Sequence, residues 1–494
     1  MKRPLLWALA VLLFATVATA NSGGYRFGTS DQAFYEPAIA MSANPALFPR
    51  DRALLEAQMK WWLGDSVFGA LSHLTGGNLP VLFAVVHAAS LVGLFVAAVA
   101  LARSLGADGW TIASFLILLT LRHRIAKTGA NTLEAYMQPR MIAFAFGLAA
   151  FAASLRTRRT ASWLWVLAAG VIHTTTAFWF AIVLAVSAVW QHRRRYDVLL
   201  AAAALVAVGL ALVVIGPLAG RMTMIDATWK SVLDDKDYLY SGRWPLYAWI
   251  SNFAYLAVIG AIYRRRRSLG VTSAAESGLV AGLTSLVVVF LVTVPLTEGG
   301  YALAVQSQAN RVFWLLDNFF TLYLAWWIFQ DLAVRFAWRP HVRGVIIGVL
   351  AVLACARGFY VLHYESKRPL VEISLPSDAW MDALNWIRAQ PASWHVLADP
   401  QHGWKYGVSV RVGAERDVLL EGGKDSALAI YDRDIAHRVA ERSALLGNFD
   451  AFTASDVRSL ARSYRLDVFV DRTTRTFPFP VLYRNAEFVV YDIR

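Results

Sequence analysis

Three carboxylates stand where they could do chemistry. Within GTSDQAFYEPAIAMSANPALFPRD, residues 28 to 51, Asp31, Glu36 and Asp51 follow directly on the first apolar segment. Asp31 falls about ten residues beyond that segment, near a membrane surface, where a carboxylate can take a proton from a hydroxyl. Glu36 and Asp51 rank behind it, and a solvated loop acid or helix cap is the ordinary alternative.

A second group is basic. RHRIAKTGANTLEAYMQPR, residues 122 to 140, carries Arg122, His123, Arg124, Lys127 and Arg140. Guanidinium groups grip phosphate bidentately, so a bound phosphate is one reading, and attachment to anionic lipid headgroups is the other. Arg311, in QSQANRVFWLLDNF, stands at the mouth of a later apolar segment with Asp317 deeper in it. An acid inside a membrane segment needs a partner, and an Arg311–Asp317 tie would supply one. His173 with Thr174 to Thr176 interrupts another apolar run and could line a substrate cavity or satisfy a helix break. No Walker loop, zinc-ligand spacing, dinucleotide fingerprint or catalytic-triad signature appears.

The elements that must position these residues follow from composition. Over 494 residues, 57% are hydrophobic and 16% charged, and the mean hydropathy is +0.46. That is a polytopic membrane protein. The net charge of +13 would suggest nucleic acid on a soluble face, but the arginines lie in short runs between apolar segments, the positive-inside pattern. Cys355 is the single cysteine, so no intramolecular disulfide can form.

Apolar spans are read near 5 to 20, 80 to 101, 109 to 121, 141 to 155, 197 to 216, 246 to 262, 277 to 297, 312 to 330 and 344 to 362. The run 162 to 190 is flanked by RTRR and HRRR, which puts both ends on the cytoplasmic side and predicts two short helices folded back at His173. With it the count is about eleven crossings, N-terminus in and C-terminus out. Residues 1 to 20 also fit a cleavable signal peptide, which would leave about ten. External loops are then 21–79, 122–140, 217–245 and 298–311.

Within 52 to 74, Leu54, Met59, Trp62, Leu63, Val67 and Leu71 oppose Arg52, Glu56, Lys60 and Asp65, which predicts an amphipathic helix lying on the bilayer. Trp229, Tyr238, Tyr240, Trp244 and Tyr247 suit the headgroup layer. From 365 the apolar runs shorten. Ser377 is placed to cap a helix reaching Gln390 with Trp380, Leu384 and Ile387 on one face. WHVLAD, VLLE, LDVFVD, PVLY and FVVYDI read as strands, with helices near 429 to 446 and 455 to 465. The domains expected are a multi-span region, 1–364, and a soluble extracytoplasmic α/β domain, 365–494.

An N-terminal helix, an early acid in the first loop, many crossings and an α/β tail resemble the GT-C membrane glycosyltransferases. DQAFYEPAIAMSANPALFPRD, QPRMIAFAFGLAAF and VIHTTTAFWFAI are similar to bacterial membrane proteins grouped with that superfamily, as are DALNWIRAQ, VLADP, SVRVGAERD and PVLYRNAEFVVYDI in the tail. The resemblance implies transfer of a sugar, with inversion, from a polyprenyl-phosphate carrier to an extracytoplasmic glycan, lipid or protein in the bacterial inner membrane. In it Asp31 is the base or orients the acceptor, and Arg124, Arg140 or Arg311 steadies the leaving phosphate. A divalent metal is compatible with the resemblance, although the sequence shows no site for one. Many such enzymes carry paired acids in that loop, whereas Gly28-Thr29-Ser30-Asp31-Gln32 has one. Glu36 or Asp51 would have to be the second. A transporter or flippase for a lipid-linked substrate and an inactive scaffold or sensor are the competing classes.

Overall fold

The computed structural model describes every residue except 1, 60–63, 75, 193–206, 208–210, 212, 213, 216, 217, 219 and 220. The chain divides into two compact units. One comprises Met1–Tyr25, Val86–Met224 and Lys236–Val371, the other Arg26–Val85, Ile225–Asp235 and Glu372–Arg494. The boundary read from composition at 364/365 therefore falls near 371/372, and the first loop folds with the tail. Loop 21–79 is polar enough to leave the helices but too apolar to stand alone, since Phe34, Ile39, Phe48 and Leu54 are all buried.

The first unit is helical. Seven described helices are long and apolar enough to cross a membrane: Pro4–Asn21, Leu79–Ser104, Thr174–Gln191, Leu246–Ser268, Ala274–Glu298, Ala302–Arg335 and Pro340–Ser366. The chain is an integral membrane protein. The expected crossings at 109 to 121 and 141 to 155 are shorter, Gly109–Leu119 with 11 residues and Pro139–Leu155 with 17. At about 1.5 Å per residue the former falls well short of a hydrocarbon core about 30 Å thick. The described helices thus do not reach a count of eleven, and the span expected at 197 to 216 lies largely outside the described residues.

The predicted fold-back at His173 is present. Arg159–Ile172 ends at His173, whose backbone is extended (φ −156°, ψ 95°), and a second helix starts at Thr174. Ser162 bonds the carbonyl of Ala150 on Pro139–Leu155, while Phe180 packs on Phe144 and Phe151 of the same helix. The two arms therefore run in opposite senses along it. The second arm also lies against Ala274–Glu298, where Gly278 and Gly282 let the backbones meet: a Cβ at Gly282 would sit 2.5 Å from the carbonyl oxygen of Val183. Small residues one turn apart are what close helix approach in a membrane requires.

Two arginines of the short basic runs are built into this unit. Arg266 is buried and holds Glu276 at 2.7 Å, with Tyr323 donating to the same carboxylate at 2.9 Å, and Arg265 holds Asp331 at 2.9 Å. Two expected headgroup aromatics are interior as well. Tyr240 and Trp244 are buried, the latter stacked on Phe290 at 5.7 Å, whereas Tyr247 is exposed.

The second unit is an α/β fold on a five-stranded mixed sheet. Its strands are β1 (His395–Leu397), β2 (Asp417–Val418), β3 (Val468–Arg472), β4 (Val481–Arg484) and β5 (Phe488–Asp492), in spatial order β2-β1-β3-β5-β4. β1 pairs in parallel with β2 and β3, while β5 runs antiparallel to β3 and β4. Four match the apolar runs picked out above, while the strand read at VLLE is only Asp417–Val418 and shares Val418 alone with that run. The first tail helix is Ala379–Arg388, capped by Asp378 through Met381 N rather than by Ser377. Its Trp380, Leu384 and Ile387 are buried as the periodicity requires. Arg433–Leu446 and Ala454–Tyr464 are the other two expected helices, the latter opened by a Thr453–Asp456 capping box.

The helix predicted to lie on the bilayer is instead two pieces of this unit, Arg52–Met59 and Gly64–Leu74, packed against Gln32–Ala43. Leu54 and Leu55 are buried, and so is Asp65, which the amphipathic pattern put on the wet face. The apolar stripe was legible, but its partner is protein. Lys60, Trp62 and Leu63 lie outside the described residues. Trp229, read as a headgroup anchor, is also interior here, donating its indole N–H to the carbonyl of Ala429 at 2.7 Å.

Candidate functional site

Asp31 owes its position to a tight turn. Gly28 has φ +73°, and a Cβ there would lie 2.5 Å from Leu375 Cδ2; its N–H donates to Gln32 Oε1 at 2.7 Å. Ser30 also sits in the left-handed region, at φ 54°, which is uncommon for a residue with a side chain. The turn delivers Asp31 to the head of Gln32–Ala43, a helix with ten buried residues. At the N-terminal end of a helix the unpaired N–H groups favour negative charge. Asp31 is 30% exposed in its side chain, and Lys424 Nζ stands 3.3 Å from its Oδ1.

The other two first-loop acids are placed quite differently. Glu36 is 5% exposed, and its Oε2 has no hydrogen-bond partner among the described residues. Burial, followed by the charge of Glu415, raises its carboxyl well above the ordinary glutamate value, against the opposing pull of Arg388. Burial in this packed helix thus favours its protonated form. Because its folded pKa is raised, the stability it contributes is present below its unfolded value and is lost as pH rises toward the folded one. Glu36→Gln should therefore flatten the decline in unfolding temperature of the purified chain between pH 5 and pH 8. An unchanged decline would show that Glu36 is not what titrates.

Asp51 is completely buried and is the node of an ion network. Arg411 donates Nε to Asp51 at 2.8 Å and holds Asp425 with both terminal nitrogens, at 2.6 and 3.0 Å; Arg438 pairs with the other Asp51 oxygen. Burial pushes the Asp51 carboxyl up, but the charges of Arg411 and Arg438 outweigh it and hold the group below the usual range. Asp417 accepts the backbone N–H groups of Arg50 and Asp51 at 3.0 and 2.9 Å, and burial together with the Asp51 charge lifts it to about 6. These bonds tie the first loop to the tail across more than three hundred residues of sequence. With both oxygens held by guanidinium groups, Asp51 is engaged as a structural acid.

In the first unit the basic cluster is largely matched. Glu134, buried, receives Arg122 at 3.4 Å and also Arg140, while Lys127 pairs with Asp237. Arg140 lies over the Trp314 ring at 5.9 Å. Arg124 is exposed and has no ion pair among the described residues. Arg311 likewise has none, and its Nε is buried without a hydrogen-bond partner. The Arg311–Asp317 tie does not form, because Asp317 takes His123 Nδ1 at 2.9 Å instead. His173 lies within electrostatic reach of Arg311 and Arg140, and its Nδ1 meets Thr176 Oγ1 at 3.0 Å. The fold therefore brings together Arg140, Arg311 and His173 from three separate segments. Thr174 is exposed, its hydroxyl turned back to the carbonyl of Gly170 at 3.3 Å.

The sequence reading passes over Glu134, Arg411, Lys424 and Trp404. Glu134 was within the quoted basic segment and could have been found by its spacing to Arg140. Lys424 and Arg411 carry no local signal, since their partners are 393 and 360 residues away. Trp404 is 79% exposed and stands against Gly423, where a Cβ would meet its indole nitrogen at 3.1 Å. Among the described residues no donor set for a divalent metal is assembled. No three His, Cys, Asp or Glu side chains among the described residues are arranged around one point, and Asp31 faces an ammonium.

A multi-span helical unit and an α/β unit that takes in the first loop make up a fold similar to that of solved oligosaccharyltransferases. Two solved structures carry the likeness. AglB, the oligosaccharyltransferase of the archaeon Archaeoglobus fulgidus, solved with an inhibitory peptide and a dolichol-phosphate, matches with a TM-score of 0.52 at 11% identity, over 96% of this chain and 70% of its own. The Archaeoglobus fulgidus oligosaccharyltransferase tethered to an acceptor peptide containing the NVT sequon matches with 0.51 at 13%, over 95% and 69%. At such identities the likeness is one of fold. No protein-family model matches the chain, and no curated protein matches it.

Proposed function

We propose that the chain is a glycosyltransferase that moves a sugar from a polyprenyl-phosphate carrier to an extracytoplasmic acceptor, with Asp31 as the base. The observation that carries this reading is the placement of Asp31: one partly exposed acid, on a strained turn at the head of a buried helix, in a chain with the fold of oligosaccharyltransferases. Asp31 takes the proton of the acceptor hydroxyl as its oxygen bonds to the anomeric carbon. The bond from that carbon to the carrier phosphate breaks, its electron pair stays on the phosphate oxygen, and configuration inverts. Arg311, whose Nε has no hydrogen-bond partner among the described residues, and Arg140 are the candidates to take the phosphate charge. The reading places the protein in a bacterial inner membrane with a cytoplasmic N-terminus and a periplasmic tail.

Purified protein given labelled polyprenyl-phosphate sugar should consume the carrier when an acceptor is present. Failure across a panel of sugars and acceptors would overturn the reading. Arg311→Gln should raise the KM for carrier about 10- to 100-fold, the loss of one charge-assisted hydrogen bond of about 1.5–3 kcal/mol. An unchanged KM would remove Arg311 from the phosphate site. Deleting residues 365–494 does not separate enzyme from scaffold, because it strips Asp51 of Arg411 and Arg438 and Asp31 of Lys424.

A further inference from the structure

The acid that this fold presents is met by a cation that the tail has fixed in advance. Lys424 lies on the helix Gly422–Leu428, and that helix is anchored on both flanks. Glu421 N and the Arg411 guanidinium both bind Asp425, and Gly422 N donates to the carbonyl of Pro400 at 2.9 Å. The Lys424 side chain is 18% exposed and its Nζ lies 6.0 Å from the centre of the Phe34 ring, on the same helix that Asp31 heads. An ordinary surface ion pair joins two long mobile side chains and contributes little. Here both partners are held, the acid by its turn and the base by a buried network.

Among the described residues, the other charged groups on that helix and on the elements packed against it are engaged or set apart. On its own helix Glu36 is buried, which favours its protonated form. Of the elements packed against that helix, Val410–Gly413 brings Arg411, saturated by Asp51 and Asp425. Arg52–Met59 brings Arg52, which pairs with Glu56 at 3.6 Å, and Gly64–Leu74 brings the buried Asp65 and the exposed His73. Lys424 stands directly against the acid, its Nζ 3.3 Å from Oδ1.

We infer that Lys424 is a positioning residue that keeps Asp31 ionised and fixed, supplying at this acid the positive charge that a divalent metal supplies at other carboxylate sites. The inference rests on the glycosyltransferase reading for its consequence in catalysis, though not for its electrostatics. A neighbouring ammonium favours the ionised form of a carboxylate, so a base next to it is ready at a lower pH.

The test uses the full chain in detergent and reads Asp31 directly. Carbodiimide modifies protonated carboxyls, and peptide mass spectrometry gives the pH midpoint for labelling at Asp31. Lys424→Met should move that midpoint up by about one pH unit, and Lys424→Arg should restore it. The acid limb of the transfer rate should move with it, with kcat down about 10-fold or more and the KM for carrier unchanged. Transfer by the wild type should persist in a chelator. A midpoint that stays put in Lys424→Met overturns the inference, as does wild-type transfer that requires added divalent metal. Loss of transfer in Lys424→Met without the shift marks a structural residue only and overturns it too. If the wild type transfers nothing, the glycosyltransferase reading fails, and the labelling midpoint still decides the role of Lys424.

Discussion

Asp31→Asn is expected to lower sugar transfer by about 10²- to 10⁴-fold, the contribution of a positioned general base, while insertion and unfolding temperature stay close to wild type. The asparagine keeps the shape of the side chain and can still head the helix Gln32–Ala43, so the turn built on Gly28 and Ser30 has no reason to change. What it loses is the capacity to take a proton. The measurement is single-turnover transfer with labelled carrier alongside thermal unfolding of the same preparation. Retained transfer would remove Asp31 from the chemistry, and with Glu36 buried in its helix and Asp51 held between two arginines, neither is placed to replace it. That is a sharper statement than the sequence permitted, where all three stood as alternatives.

Arg411→Met should be the most damaging single change for stability. It leaves Asp425 buried without its guanidinium partner and Asp51 with Arg438 alone, and removing one partner of a buried ion network costs about 3–5 kcal/mol. The loss falls on the second unit, because the guanidinium joins residue 51 of the first loop to residues 411 and 425 of the tail. Limited proteolysis of the full chain should show new cleavage in residues 44–51 and in the tail, with a lower unfolding temperature. Arg411→Lys should recover part of the charge but not the two-pronged hold on Asp425. The wild-type network also has a defined acid limit. Because Asp51 is held below its ordinary range, its stabilisation is present above the unfolded carboxylate value and is lost as pH falls through the lower folded one. A variant as stable as the wild type would mean that the carboxylates find other partners or are protonated in place.

Composition and periodicity made much of the fold legible. Most of the apolar spans, the fold-back at His173 and four of the five tail strands were readable because each is set by a local pattern: span length, basic flanks, or a short Val-rich run between turn residues. The failures share one cause. Leu54, Trp229, Tyr240 and Trp244 were assigned to the bilayer because an apolar stripe has the same pattern whether lipid or protein covers it. Asp317 was assigned to the cation nearest in sequence, whereas His123 reaches it from a loop 194 residues away.

The sequence by itself determined that this is a multi-span membrane protein with an α/β tail and an early acid in its first loop, since hydropathy and strand period are properties of consecutive residues. Which acid is presented, which is buried in its helix and which is locked in an ion network was decided only by the tertiary structure. A carboxylate's behaviour depends on how much water reaches it and which charges stand within a few ångströms. For Asp31 and Asp51 those charges are Lys424, Arg411 and Arg438, brought from more than three hundred residues away.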